Sequence, residues 1–105
     1  MKEKDILNNA LHNLEKVIPI NWDWNTIDNH KDIGVDGELD ILINNLRVLF
    51  MVEVKKDVNN HQLFNIIEYK KRVDNFLLIA EKLYPRVKKE LRDNGVNYIE
   101  GNGNV

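Results

Sequence analysis

The stretch Asp36-Gly-Glu-Leu-Asp40, followed by Phe50-Met-Val-Glu53-Val-Lys55-Lys56, decides how this chain is interpreted. Side chains two residues apart on a β-strand point to the same face, so Glu53 and Lys55 share a face and the valines beside them share the other. If the two segments are paired strands, carboxylates from both can meet. Carboxylates of this kind bind Mg²⁺, and a lysine beside them can neutralise the charge of a reacting phosphate.

The same residue types also occur on the solvated face of an ordinary strand. Two features favour a site. The segment Val48-Leu-Phe-Met-Val52 is apolar throughout, so both of its faces are expected to be covered and the charges come where a buried strand ends. The acidic segment also lies one hairpin earlier, at a separation that two paired strands can close.

Size and composition describe an ordinary globular domain. The chain has 105 residues, of which 43% are hydrophobic and 30% charged, which predicts a single domain over residues 1–105. It has no apolar run of about 20 residues and no apolar signal-peptide core near its start, so we expect a cytoplasmic protein without a membrane partner. It has no cysteine, and its three histidines lack ligand spacing, so a zinc site is not expected.

The net charge of −2 argues against a general nucleic-acid coat protein. The charges are unevenly distributed, however. Acidic residues crowd the first forty positions, and basic residues concentrate in the second half. This distribution fits a basic rim around an acidic metal site, and it equally fits two solvated helix faces.

Periodicity predicts three helices and five strands. The expected elements, in chain order, are a helix over Lys4–Val17, strands over Ile20–Ile27, Gly37–Ile43 and Leu46–Lys55, a helix from Asn59 or Asn60 to about Arg72, a strand over Asn75–Ala80, a helix from Pro85 to about Asn94, and a strand over Val96–Ile99. A strand, a helix and an apolar strand in succession indicate a crossover, so the third and fourth strands should be parallel neighbours in one mixed sheet.

With this element order, the acidic strand and the Glu53-Val-Lys55 motif resemble the PD-(D/E)XK nuclease superfamily. The resemblance implies an α/β fold with a restriction-endonuclease-like α-β-β-β-α-β core, a mixed central sheet flanked by helices, and here a C-terminal α-β extension. It also implies metal-dependent hydrolysis of DNA, with Mg²⁺ or Mn²⁺ as cofactor. Glu53 matches the family acid, Lys55 its lysine, and Asp36 or Asp40 its aspartate. No proline precedes either aspartate, unlike in the motif that names the family.

The hairpin between the two strands determines which aspartate faces Glu53. A two-residue turn at Asn44-Asn45 places Asp36 opposite Glu53. A longer loop centred on Leu46-Arg47 would place Asp40 there instead. Both arrangements keep the apolar pairs together, so both aspartates are retained as catalytic and metal-binding candidates.

Two further residues are candidates for accessory roles. Glu15 lies beside the apolar stripe of the first helix, where many members of the superfamily carry an additional acid. Gln62 shares a helix face with Tyr69, and members often place a glutamine on this helix near the scissile phosphate. For both residues the alternative is a solvated helix face. Trp22 and Trp24 could stack on bases, but large aromatic residues more often pack against a neighbouring helix.

The segment from Phe76 to Asn104 is also similar to the nuclease-like domain of type IV abortive-infection antitoxins. A winged-helix region usually continues the chain in that group, so residues 1–105 are either a fragment of a longer chain or a looser relative. This similarity implies an alternative function, a non-catalytic nucleic-acid-binding or regulatory domain with a nuclease-like fold. A third alternative is a protein-interaction domain that forms a homodimer through a sheet edge.

Overall fold

A computed structural model describes residues 3–27 and 35–105. The elements follow the predicted order, and their bounds are α1 (Glu3–Glu15), β1 (Ile20–Thr26), β2 (Gly37–Ile43), β3 (Leu46–Lys55), α2 (Asn60–Lys70), β4 (Phe76–Ala80), α3 (Pro85–Asp93) and β5 (Asn97–Glu100). Within these described ranges, no helix has the length and apolar character needed to cross a bilayer.

The five strands form one mixed sheet in the order β1-β2-β3-β4-β5. Strand β2 is antiparallel to both of its neighbours, β1 and β3. Strands β3, β4 and β5 are parallel. The prediction that the third and fourth strands are parallel neighbours is therefore confirmed. Because β2 runs against β3, its first residues lie at the same sheet edge as the carboxyl ends of β3, β4 and β5.

The turn between β2 and β3 sets the register of the hairpin. Asn44 and Asn45 have φ angles of 51° and 66°, a conformation that a two-residue hairpin turn requires and that asparagine tolerates. Ile43 pairs with Leu46, and the same register brings Gly37 opposite Val52. The shorter of the two predicted loops is the one that forms.

The core has one layer on each face of the sheet. Leu7 and Leu11 of α1 pack on a face that includes Val52 and Val54. Helices α2 and α3 cover the other face over β4, whose five residues are all buried, as its continuous apolar sequence predicted. Since alternate side chains of β3 point to opposite faces, Glu53 and Lys55 lie on the α2 side.

Candidate active site

Glu53 and Lys55 lie next to each other near the carboxyl end of β3. Lys55 Nζ is 3.6 Å from Glu53 Oε1, and the two side chains are 33% and 16% exposed. They line a cavity of about 370 Å³ between the sheet and α2. The pair is thus partly shielded from solvent and remains accessible to a ligand.

Asp36 immediately precedes β2 and lies beside the same part of β3. Its backbone N–H donates to the carbonyl of Val52 at 2.8 Å, and its side-chain Oδ2 accepts from the backbone N–H of Val54 at 2.7 Å. Strand β2 begins at Gly37, whereas β3 continues to Lys55. The carboxylate of Asp36 therefore occupies the gap that opens where β3 extends past its neighbour.

Oxygen groups of Asp36, Glu53 and Val54 are the ones that would serve a hard cation at this gap. In a strand, the N–H and C=O of one residue point to the same side, so the carbonyl of Val54 points toward the gap that Asp36 occupies. Carboxylates of Asp36 and Glu53 and this carbonyl supply oxygen donors of the kind Mg²⁺ takes, with waters and substrate oxygens completing its shell. Over the described ranges, no group of three or more acidic or histidine side chains forms a ready-made metal site.

Electrostatics at Glu53 favour a cation. Burial raises the pKa of Glu53 above its ordinary value; Lys55 opposes this rise, and the negative charges of Asp36 and Glu3 add to it. The net effect is a raised pKa, so the ionised carboxylate is not fully compensated by its lysine neighbour. A divalent ion in the gap would supply the missing positive charge.

Helix α1 brings a different acid to this place from the one that was predicted. Glu3, at the start of α1, lines a cavity of about 430 Å³ together with Asp36 and Val54. Glu15 is twelve residues further along the helix, about 18 Å away at 1.5 Å per residue. It accepts a hydrogen bond from Trp22 Nε1 and lies 3.5 Å from His12. Glu3 is therefore the acid of α1 that lies near Asp36, in a cavity different from the one that Glu53 and Lys55 line.

Asp40 does not join the cluster. It pairs with Leu49 across the hairpin, and Glu53 lies four residues further along β3, about 13 Å at 3.3 Å per residue. Arg47 Nε is 3.4 Å from Asp40 Oδ1. The expectation that both aspartates converge with Glu53 is wrong for Asp40, since the two-residue turn selects the register that favours Asp36.

Gln62 lines the cavity of Glu53 and Lys55, but its side-chain oxygen has a structural partner. Gln62 Oε1 accepts from the N–H of Asn59 at 2.9 Å, and Asn59 Oδ1 accepts from the N–H of Gln62 at 2.8 Å, which closes a capping box at the start of α2. The capping bond uses one of the two acceptor positions of the Gln62 oxygen, and its amide nitrogen remains as a donor for a ligand. Asn59, one of the two predicted caps, is the residue that caps α2.

The tryptophans of β1 pack with the core beneath α1, as the structural alternative predicted. A Cβ on Gly37 would lie 2.5 Å from Cζ2 of Trp24, so the indole ring requires a glycine at the start of β2. Trp24 therefore packs against the residue that directly follows Asp36.

Sequence reasoning missed two residues around the site. Glu3 was overlooked because helical periodicity gives the buried stripe of α1 but not the direction in which the helix crosses the sheet. Phe64 lines the cavity of Glu53 and is 61% exposed. Its signal was present in the sequence, since a large aromatic residue stands outside the apolar stripe of its helix.

Comparison of the chain with protein-family models, with curated proteins and with solved structures gives no match. The argument for function therefore rests on the fold and on the geometry of Asp36, Glu53 and Lys55.

Proposed function

We propose that this protein is a Mg²⁺- or Mn²⁺-dependent nuclease of the PD-(D/E)XK type that hydrolyses phosphodiester bonds in DNA, and that it acts in the cytoplasm. The observation that supports the proposal is the meeting of two strands at one gap. Asp36 bonds to the backbone of Val54, and the residues on either side of Val54 are the ion-paired Glu53 and Lys55.

Each residue has a distinct task in this proposal. Asp36 and Glu53 hold the divalent ion, with the carbonyl of Val54 as a further donor. When bound there, such an ion would supply an activated water and would polarise the phosphate. Lys55 lines the cavity beside Glu53, and in this proposal its ammonium would neutralise the charge that grows on the phosphate in the transition state. The 3.6 Å contact with Glu53 positions that ammonium at the metal gap.

Replacement of Lys55 separates catalysis from binding. We expect Lys55→Ala to abolish Mg²⁺-dependent nicking of plasmid DNA, while DNA affinity falls by no more than about tenfold, or 1.4 kcal/mol. The control is Lys56→Ala, which removes the adjacent, exposed lysine. Nicking by gel electrophoresis and affinity by fluorescence anisotropy are measured on the same preparations.

Three results of this experiment would count against the nuclease. One is loss of nicking in Lys56→Ala to the same extent as in Lys55→Ala. Another is a Lys55→Ala protein that still nicks. The third is a wild-type protein that cleaves neither single-stranded nor double-stranded DNA with Mg²⁺ or Mn²⁺.

A non-catalytic nucleic-acid-binding or regulatory domain is the second candidate function. Its support is the small number of carboxylates, because no cluster of three acidic or histidine side chains occurs within residues 3–27 and 35–105. A protein that binds DNA in EDTA and in Mg²⁺ equally well, and cuts it in neither, would favour this function.

A further inference from the structure

Phe64 is a large apolar side chain at the mouth of a polar cavity. It is 61% exposed, whereas Leu63 and Ile66 on the same helix are buried against the sheet. Phe64 lines the cavity that also contains Glu53 and Lys55. An aromatic ring left in solvent beside a reactive cluster has a flat face available for a ligand.

The remaining lining of this cavity carries groups that suit a nucleotide. Arg72 stands at the far end of α2, two positions past its last residue and eight residues from Phe64, about 12 Å at 1.5 Å per residue. Its guanidinium carbon lies 5.7 Å from the ring centroid of Tyr69, which holds the cation over the cavity wall. Asn65 adds a side-chain amide that can donate to a base.

The two acidic groups that line the cavity, Glu53 and Glu68, each have a basic partner. Glu68 also lines it, but Lys71 Nζ lies 3.0 Å from Glu68 Oε1 and balances its charge. Glu53 likewise pairs with Lys55, whose Nζ lies 3.6 Å from Glu53 Oε1. The cavity thus offers an aromatic face between two cationic ends, which is the arrangement of a base between phosphates.

We propose that this cavity binds an unpaired nucleotide of single-stranded DNA, with the base stacked on Phe64 and the flanking phosphates at Lys55 and Arg72. A base exposes its π-face only when it is unstacked from its own strand, so this site favours single strands or frayed ends over intact duplex. The volume of about 370 Å³ lies within the range of small-ligand sites. The inference rests on the proposed function in that it places this nucleotide next to the bond that is cut.

The test measures binding in EDTA by fluorescence anisotropy. The probes are a thymidine strand of roughly 15 nucleotides, a strand of the same length and charge without bases, and a duplex of that length. Phe64→Ala is expected to weaken binding of the thymidine strand by about 5- to 100-fold, because stacking on an aromatic side chain contributes that much per base. Binding of the baseless strand should change less than about twofold, and Phe64→Trp should retain the affinity.

Tyr84→Ala is the matched control. Tyr84 is 57% exposed, belongs to the start of α3 and does not line the cavity. Its replacement should leave the affinity for all three probes unchanged. Thermal melts of each variant check the fold; since Phe64 is largely exposed, its replacement should leave the melting temperature close to that of wild type.

The stacking site is overturned if Phe64→Ala binds the thymidine strand as wild type does, if it weakens the baseless strand equally, or if wild type prefers the duplex. Cleavage of the same probes with Mg²⁺ separates this result from the nuclease proposal. Binding that depends on Phe64 without cleavage leaves the subsite standing and removes the nuclease. If Phe64→Ala cleaves the duplex at the wild-type rate and binds the thymidine strand as wild type does, the nuclease proposal stands and the stacking site is removed.

Discussion

At the scale of single residues, Glu53 is the carboxylate whose pKa is most affected by its surroundings at the site. Burial raises its pKa, the lysine two positions on lowers it in part, and Asp36 and Glu3 raise it further. In the proposed function, a proton and a divalent ion would compete for the carboxylate of Glu53. Metal affinity should fall as the pH falls through this raised pKa, because protonation removes a ligand.

The first prediction concerns Glu53→Gln in the absence of metal. A raised pKa means that folding disfavours the ionised form, so above that pKa the charge lowers the stability of the native state. We expect the glutamine variant to melt at a higher temperature than wild type at about pH 8 in EDTA, and the difference to shrink as the pH falls and wild-type Glu53 takes up its proton. Calorimetric melts across this range measure the effect. A difference in melting temperature between Glu53→Gln and wild type that stays constant across the pH range would contradict the prediction. Glu90→Gln on α3 is the control for replacing a glutamate away from the site.

The second prediction compares the two aspartates. A ligand that binds only the folded state stabilises it by mass action, by about 1.4 kcal/mol at ten times its dissociation constant. Millimolar Mg²⁺ should therefore raise the melting temperature of wild type and of Asp40→Asn, but not of Asp36→Asn. If Mg²⁺ fails to raise the melting temperature of Asp40→Asn alone, then Asp40 and not Asp36 is the metal ligand, and the prediction is wrong.

The residue spacing accounts for only part of this site. The period of a strand predicts that Glu53 and Lys55 share a face, and the structure has them in contact. The hydrogen bond between the Asp36 carboxylate and the Val54 N–H depends on where β2 begins relative to the end of β3. No local pattern in either strand encodes that offset. The exchange of Glu15 for Glu3 has a similar origin, because it depends on how α1 crosses the sheet.

At the scale of elements, the hairpin turn controls the site from a distance. Asn44 and Asn45 both adopt positive φ, and the register they set brings Asp36 to β3. The sequence left this turn and a longer loop as alternatives, and the turn forms at Asn44 and Asn45, which tolerate positive φ. This turn pairs Ile43 with Leu46, and it thereby selects one of two pairings of β2 with β3 that match apolar residues equally well.

The third prediction tests this turn. Alanine has no side-chain amide to stabilise the left-handed region, so Asn45→Ala should lower the free energy of unfolding by about 1 kcal/mol, whereas Asn45→Gly should be at least as stable as wild type. Urea unfolding measures both variants. Equal destabilisation by glycine and alanine would show that φ at this position is not the determining factor.

A buried ion pair joins α3 to the end of β5. Glu100 is 5% exposed; its Oε2 accepts from the N–H of Leu83 at 3.1 Å, and Lys88 Nζ contacts its Oε1. Burial alone raises the pKa of Glu100, but the bonds from Lys88, Leu83 and Asn104 together outweigh it and hold the pKa below its ordinary value. Sequence analysis passed over this glutamate because it looked like the polar end of a short strand.

The fourth prediction follows from that pair. Lys88→Met should cost about 3 kcal/mol at pH 7, because it leaves a buried carboxylate without its counter-ion. The lowered pKa of Glu100 contributes stability that is present above the ordinary value of 4.5 and is lost as the pH falls through the folded value. The difference in unfolding free energy between wild type and Lys88→Met should narrow as the pH falls toward that folded value, because Glu100 without its lysine takes up a proton at higher pH. Lys89→Met is the control. It removes an exposed lysine 2.8 Å from Asp93 and should leave the free energy of unfolding nearly unchanged, because solvent screens an exposed pair. Equal costs for the two lysines would contradict the assignment.

At the scale of the whole molecule, the mixed sheet explains why distant segments meet. Because β2 is antiparallel to β3 while β4 and β5 are parallel to it, one edge collects the beginning of β2 and the ends of three other strands. The amino end of α1 arrives at the same place. The antiparallel hairpin and the parallel pairing of β3 with β4 were predicted from sequence, because they depend on chain direction and not on side-chain detail.

The outer strands bear on the predicted homodimer. On β1 the residues Asn21, Asp23 and Asn25 are exposed, and β5 has only four residues. Polar side chains and short length both discourage edge-to-edge pairing. A homodimer through a sheet edge stays a prediction, and sedimentation equilibrium of the purified protein would test it.

The central claim is that one divalent ion is held between Asp36 and Glu53, next to Lys55. Its most direct test is anomalous diffraction from a crystal grown with Mn²⁺, whose signal locates the ion without reference to activity. The claim predicts an anomalous peak in the gap beside Val54, with carboxylate oxygens of Asp36 and Glu53 about 2.2 Å from it. A crystal with Mn²⁺ at saturating concentration and no peak in this gap, or a peak at Asp40 instead, would contradict it.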